Sequence, residues 1–181
     1  MASFRLPVKI DHVVAPRAAL AAYRRAKVKN ESAYTLLPGT AQLFENDEYL
    51  GKISIKQTAP NGELVLALGL DERLKVERKL TAREVDKNFM GDRRRTRYAY
   101  EITVTNTREV ALPIEVRDQI PVSQHESIKV ELKGTSPKPG EQTRLNELIW
   151  KVDAPAGGKQ VFAFEFTVEH PRELVVRGLV E

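Results

Sequence analysis

The amino-acid sequence predicts an all-β protein folded as an antiparallel β-sandwich. The strongest observation lies in Arg97–Thr107, where every second residue is apolar: Tyr98, Tyr100, Ile102 and Val104. Only a strand turns this spacing into one apolar face and one polar face. Turn signals recur at short, regular intervals in the second half, and segments with a helical apolar period are almost absent. These observations indicate several strands that need one another to cover their apolar faces.

Composition limits the class of protein. The chain has 181 residues, of which 41% are hydrophobic, enough for one large or two small domains with a core. A net charge of +4 is too small to indicate nucleic-acid binding by itself. The absence of cysteine excludes disulfides, thiolate metal sites and a cysteine nucleophile. No apolar run approaches the roughly 20 residues that span a bilayer, and Met1–Pro7 lacks the apolar core of a signal peptide.

The first half of the chain is predicted to contain six strands. Turn residues separate them at Pro16, Pro38-Gly39 and Pro60-Asn61-Gly62, because Asn and Gly adopt positive φ at little cost. Arg17–Ala22 consists of good helix formers and is compatible with a single helical turn. The predicted strands are Leu6–Asp11, Tyr23–Asn30, Thr40–Phe44, Tyr49–Ile55, Leu64–Leu70 and Leu74–Leu80.

Three of these strands carry further expectations. Thr40–Phe44 and Tyr49–Ile55 should pair as a hairpin around the polar tip Glu45–Glu48. Leu64–Leu70 has apolar residues on both faces, which predicts a central strand that is covered on both sides.

Thr81–Arg95 is the clearest shift in composition, because it is polar apart from Phe89 and Met90. We interpret it as a loop or linker between two halves. The predicted domains are an N-terminal β-rich half at residues 1–85 and a C-terminal β-sandwich half at residues 93–181. No convincing internal repeat is found in the sequence.

The second half is predicted to hold about six strands at short, regular spacing. The run at Leu112–Val116 is interpreted as an antiparallel neighbour of Arg97–Thr107. This pattern is typical of immunoglobulin-like and fibronectin-like modules. The remaining strands are centred on Ile128–Leu132, Leu148–Val152, Phe162–Val168 and Leu174–Val176.

The aromatic residues of the second half allow two interpretations. Phe162, Phe164 and Phe166 could line an apolar ligand cavity, but a position opposite Trp150 favours a place in the core. The predicted core cluster consists of Trp150, Phe162, Phe164, Tyr98, Tyr100 and Ile102.

No pattern requires a catalytic, cofactor-binding or metal-binding residue. His12, His125 and His170 are far apart and lack the spacing of a metal site, which favours surface or structural roles. The run Ser123–Ser127 contains Ser, His and Glu, but the members of a catalytic triad converge from separate elements. We interpret this run as a polar loop.

Two carboxylate pairs and one glycine pair also have structural interpretations. The acids that catalyse glycoside hydrolysis lie on facing elements at a defined distance, whereas Asp47-Glu48 and Asp71-Glu72 are neighbours at predicted turns. We interpret both carboxylate pairs as solvated. Gly157-Gly158 lies between two predicted strands, in a hairpin, and not before a helix, so it does not fit a phosphate-binding loop.

Arg93–Arg97 is a run of four arginines and one threonine. Beside Tyr98 and Tyr100 it could bind phosphates while the rings stack on bases. The tyrosines, however, fall on the expected core face, away from the arginines at odd positions. A solvated linker end or a donor of interdomain salt bridges is therefore favoured over nucleic-acid binding.

Several short motifs occur in an order that resembles one known family. The series runs from about Phe4 to the end of the chain and resembles the C-terminal domain of unknown function of the mucoidy inhibitor A family. Its motifs are Lys27–Ser32, Leu37–Ala41, Tyr49–Lys52, Arg97–Tyr100 with Asn106, Asp118–Ser123, Trp150, His170-Pro171 and Arg177–Leu179.

The resemblance implies a β-rich end of a long, bacterial, envelope-associated protein with an N-terminal β domain and a coiled-coil middle. The family has no assigned catalytic residues, so the resemblance supplies none. A Thr-Gly-Glu-Asp-Trp segment, usual upstream in the family, is missing here. This absence suggests that further strands of the same fold lie outside the chain.

The sequence thus predicts a non-enzymatic structural or protein-interaction module without a cofactor. The alternatives are a carbohydrate-binding or hydrolase domain with a site in a loop such as Gly134–Thr143, and a basic nucleic-acid binder at Arg93–Arg97. A Leu6–Asp11 strand left at an open edge would present free N–H and C=O groups. We therefore expect self-association or a protein partner bound by edge-strand pairing.

Overall fold

The computed structural model describes residues 5–86, 92–176 and 178–179, and these residues form twelve strands and no helix. The prediction of an all-β protein is confirmed. The strands are β1 (Val8–Val14), β2 (Ala22–Lys29), β3 (Gly39–Glu45), β4 (Glu48–Ile55), β5 (Glu63–Leu70), β6 (Leu74–Val85), β7 (Arg93–Asn106), β8 (Leu112–Gln119), β9 (Lys129–Ser136), β10 (Glu141–Gln142), β11 (Glu147–Ala154) and β12 (Lys159–Pro171).

The strands form three sheets. The six-stranded sheet has the order β10-β11-β8-β1-β2-β5, the four-stranded sheet has the order β6-β7-β12-β9, and β3 pairs with β4 alone. Every pair of strands is antiparallel except β1 and β8, which run parallel over His12–Val14. The purely antiparallel prediction is wrong at this pair. Parallel neighbours need a long crossover, and here the chain passes through six strands before it returns.

Residues of the two larger sheets meet in one core, as the alternating apolar residues require. Trp150 of β11 is 1% exposed, and its ring lies 5.4 Å from that of Phe162 on β12. Tyr100 of β7 stacks on Phe164 at 5.4 Å between ring centroids. The predicted cluster around Trp150 is therefore confirmed, and the aromatic row of β12 belongs to the core and not to a ligand cavity.

The interpretation of Arg97–Thr107 and Leu112–Val116 as neighbouring strands is wrong. β7 lies in the four-stranded sheet and β8 in the six-stranded sheet, so their apolar faces oppose each other across the core. Alternation fixes which side of a strand is buried, but it does not say which strand lies beside it. For the same reason Gly157-Gly158 connects two sheets and does not form a hairpin.

Strands from the ranges 1–85 and 93–181 share both larger sheets. β1 pairs with β8, and β6 pairs with β7 along most of its length. Val14 and Ala22 of the first range lie in the main core. The division into two domains stays a prediction, and the strand pairing joins the two ranges closely.

The predicted linker at Thr81–Arg95 is wrong where the structure describes it. β6 continues to Val85 and β7 already begins at Arg93. The polar composition reflects an edge strand with solvated faces, which needs few apolar residues. Residues 87–91, with Phe89 and Met90, lie outside the described residues.

The predicted central position of Leu64–Leu70 is also wrong. β5 forms the edge of its sheet and pairs with β2, and Val65 and Leu70 are about half exposed.

The predicted hairpin is confirmed, because β3 and β4 pair around Asn46 and Asp47, which have φ values of 47° and 67°.

A buried asparagine closes the loop after β2. The side-chain amide of Asn30, which is 0% exposed, donates hydrogen bonds to the carbonyls of Tyr34, Thr58 and Ala59 at 2.8–3.2 Å. Its Oδ1 atom accepts a hydrogen bond from the backbone N–H of Ser32. One side chain thereby satisfies several buried backbone groups.

Asn106, at the end of β7, makes the same set of contacts. Its amide, also 0% exposed, donates to the carbonyls of Val110, Ala154 and Pro155 at 2.8–3.2 Å. Its Oδ1 atom accepts from the N–H of Arg108. In both loops the partners are the N–H two residues ahead, the carbonyl four residues ahead and two successive carbonyls of a later turn.

The two asparagines mark an internal structural repeat, which we did not find in the sequence. The first unit comprises β1–β5 and the second comprises β6–β12. Pairs β1–β2, β2–β5 and β3–β4 correspond to β6–β7, β7–β12 and β8–β11. In both units the asparagine N–H bonds a glycine carbonyl at 2.9 Å, of Gly62 and of Gly158. The second unit carries β9 and β10 as additional strands.

Candidate functional site

The Ser123–Ser127 run does not assemble a catalytic triad. The Ser123 hydroxyl donates to the carbonyl of His125 at 2.7 Å, and the His125 ring accepts from the N–H of Ser127. These are local turn contacts of an exposed loop, as the sequence interpretation expects.

The three histidines lie in separate places. His12 is buried on β1, His125 is exposed in the loop after β8, and His170 is half-buried on β12. Among the described residues no group of three or more His, Asp or Glu side chains is arranged to hold a metal ion. The prediction of a loop at Gly134–Thr143 is wrong at both ends, because β9 extends to Ser136 and Glu141–Gln142 form β10. The turn between these strands is tied to the core, because the Trp150 indole N–H donates to the carbonyl of Pro137 at 2.8 Å.

The arginines at odd positions of Arg93–Arg97 form ion pairs with glutamates. Arg93 and Arg95 both bind Glu169, at 2.6 and 3.0 Å. Arg97 binds Glu84 and Glu165, at 3.0 and 2.6 Å. Tyr98 and Tyr100 are buried on the opposite face and are not available to stack on bases. The arginines at these positions are therefore occupied within the fold.

A buried polar cluster joins the two units. Asp71, in the turn between β5 and β6, is 4% exposed, and its carboxylate lies 3.0 Å from His12 Nε2 and 2.8 Å from Arg108 Nη2. The N–H of Arg73 donates to the same carboxylate at 3.1 Å. The interpretation of Asp71-Glu72 as a solvated pair is wrong for Asp71, whereas Glu72 is exposed, as are Asp47 and Glu48.

The cluster holds Asp71 in its ionised form. Burial opposes ionisation, but the hydrogen bonds from the Arg73 N–H and the Arg108 side chain outweigh it and lower the pKa of Asp71 below its usual 3.8. The three donors come from β1, the β5–β6 turn and the β7–β8 loop, which are distant in sequence. The sequence contains no signal for this convergence beyond a carboxylate placed at a turn.

We expect Asp71→Asn to make unfolding less sensitive to acid. Because the folded-state pKa is lowered, the ionised carboxylate stabilises the fold above the unfolded pKa, and this contribution disappears as the pH falls through the folded pKa. The variant should lose about 1–3 kcal/mol near pH 7, and the difference in stability from the parent should shrink as the pH falls through the lowered folded-state pKa of Asp71. Asp47→Asn, at the exposed hairpin tip, is the matched control. Parallel pH profiles of parent and Asp71→Asn would contradict this assignment.

The N-terminal part of β1 has an open edge. β8 pairs only with His12–Val14, so Val8–Asp11 pairs with β2 alone among the described residues. The pairing with β8 stops near Pro113, which has no N–H to donate. Val8 and Ile10 are 53% and 44% exposed. The edge expected at Leu6–Asp11 is thus present over Val8–Asp11, which we call the first-strand edge.

Comparison with known proteins shows the family. A model described as "Domain of unknown function (DUF4139)" matches residues 4–172. Protein F37C4.5 of Caenorhabditis elegans is 23% identical over 186 residues, covering 96% of this chain and 34% of that protein. The chain thus spans about a third of this curated relative. No solved structure matches this chain. None of the described residues form a helix that is long and apolar enough to cross a membrane. The chain belongs to the DUF4139 family.

Proposed function

We propose that this chain is a non-enzymatic protein-interaction module that associates with a second copy of itself through the first-strand edge. The observation that carries the proposal is the combination of unpaired backbone and exposed apolar side chains at Val8 and Ile10. An open edge of this kind is a template for another strand.

The charges of the first-strand edge fit a second copy. Lys9 and Asp11 flank Ile10 in the sequence. If two copies pair antiparallel about Ile10, Lys9 of each copy faces Asp11 of the other, and opposite charges across a strand pair are favourable. Asp11 is ionised, because hydrogen bonds from Arg25 and Lys27 outweigh burial and lower its pKa.

The test is sedimentation velocity over a concentration series. The parent should change from monomer to dimer as the concentration rises. Those amides of Val8–Asp11 that point away from β2 should exchange more slowly in the dimer. Ile10→Lys should weaken the dimer by at least about tenfold, since it places like charges together at the two-fold axis. Val65→Lys adds the same charge at an equally exposed position on β5 and should leave dimerisation unchanged.

A strict monomer at every concentration would contradict self-association. So would equal dimer affinities of the parent and Ile10→Lys. Slow exchange in a monomer of the Val8–Asp11 amides that point away from β2 would show that the edge is already covered.

We include three further assignments in this proposal: membership of a longer envelope-associated protein, an immunoglobulin-like or fibronectin-like second half, and the absence of enzymatic activity. The resemblance to the mucoidy inhibitor A family supports a role as one part of a longer, envelope-associated protein. The shared core of the two larger sheets supports a β-sandwich with an immunoglobulin-like or fibronectin-like second half. The local contacts of Ser123 and His125 support a non-enzymatic role.

A further inference from the structure

Going beyond the proposed function, we propose that the chain binds a small phosphate monoester in a pocket formed by Arg83, Arg94, His170 and Arg172. We call this the arginine pocket.

Strand register brings these side chains together. On β7, Arg94 lies on the same face as Thr96 and Tyr98, opposite to the face of its sequence neighbours. His170 of β12 is directly across from Arg94, and Arg83 of β6 is directly across from Tyr98. Arg172 follows β12. These groups line one cavity of about 270 Å³.

The positive charge of the arginine pocket is not compensated within the described residues. Arg83, Arg94 and Arg172 form no ion pair with any described carboxylate, and no described Asp or Glu lines the cavity. The neighbouring Arg93 and Arg97, in contrast, both bind glutamates on the other face of the sheet. Three arginines that line one cavity without an acidic partner among the described residues are suited to an anion from solution.

The chemistry of the pocket favours a phosphate monoester over a carboxylate. A guanidinium donates two parallel hydrogen bonds to a pair of oxygens, and a phosphate dianion offers three oxygens with nearly two charges. The buried Thr96 lies on the same wall. Val168 and Leu174 supply an apolar wall for the organic part of the ligand.

The modest volume of the cavity favours a small molecule over a phosphorylated protein segment. A cavity of about 270 Å³ holds a phosphate group with a compact organic body. A phosphoserine peptide carries the same group, so the experiment compares the two sources directly.

The experiment is titration calorimetry of the whole chain at constant ionic strength. The probes are inorganic phosphate, phenyl phosphate and a phosphoserine peptide of mixed sequence, with chloride as the reference anion. We expect saturable binding of phosphate and tighter binding of phenyl phosphate. Arg94→Gln should weaken both by at least about tenfold, because it removes a charge-assisted bidentate contact. Arg95→Gln, next along β7 but on the opposite face, should change them less than about threefold.

Three results would overturn the proposal. One is a response to phosphate that is no larger than the response to chloride at equal ionic strength. Another is equal binding by Arg94→Gln and the parent, provided that both show the same unfolding temperature. Binding of the phosphoserine peptide without binding of phenyl phosphate would assign the pocket to a protein ligand instead.

Discussion

Trp150→Ala should lower the free energy of unfolding by about 3–5 kcal/mol, because it removes the largest fully buried side chain of the core. The loss combines the contacts with Phe162 and Phe164 with the cavity that remains. The Pro137 carbonyl also loses the indole N–H that it accepts. Urea unfolding monitored by circular dichroism measures the change.

The control for Trp150 is a large apolar residue that is close to it in the sequence but lies outside the core. Leu145→Ala, at an exposed position just before β11, should alter stability by less than about 0.5 kcal/mol. A Trp150→Ala midpoint close to that of the parent would show that the two larger sheets do not share this core.

A second large loss is expected when the ion pair at the core is broken. The Asp118 carboxylate, which is 0% exposed, accepts from Arg78 Nε at 2.7 Å and from the N–H of Gln119 at 2.7 Å. The Arg78 guanidinium also lies 3.9 Å above the ring of Tyr100. Asp118→Ala leaves a largely buried guanidinium without its partner and should cost about 3–5 kcal/mol.

The double variant Arg78→Met with Asp118→Leu distinguishes the cost of an unpaired buried charge from the cost of altered packing. Replacement of a buried pair by apolar residues of similar size is often neutral, so this variant should recover most of the lost stability. If the double variant were as unstable as Asp118→Ala, the cost would come from packing and not from an unpaired charge.

The sequence predicts individual strands better than their neighbours. Alternation in Arg97–Thr107 places β7 well, because one buried face and one solvated face leave a clear period of two. The same signal in Leu64–Leu70 does not distinguish a central strand from an edge strand. The parallel pairing of β1 with β8 depends on contacts across about 100 residues, which no local pattern contains.

The candidate sites show the same limit. Arg94 has an even number, as Tyr98 and Tyr100 do, so strand alternation alone places it on the same face as the two tyrosines. The sequence therefore indicates the position of one residue of the arginine pocket. Its other parts, Arg83 and Arg172, reach it only through the register of β6 and β12. Asp71 could not be distinguished from a solvated turn carboxylate without the fold around it.

The matched asparagine loops suggest where this chain tolerates change. In the second unit, residues 120–146 separate β8 from β11, whereas in the first unit Asn46 and Asp47 alone separate β3 from β4. Both units keep the same asparagine contacts despite this difference in length. The hairpin tip at Asn46-Asp47 is therefore a natural position for grafting a foreign peptide or an epitope tag, because the architecture already accommodates an insertion at the corresponding point of its other copy.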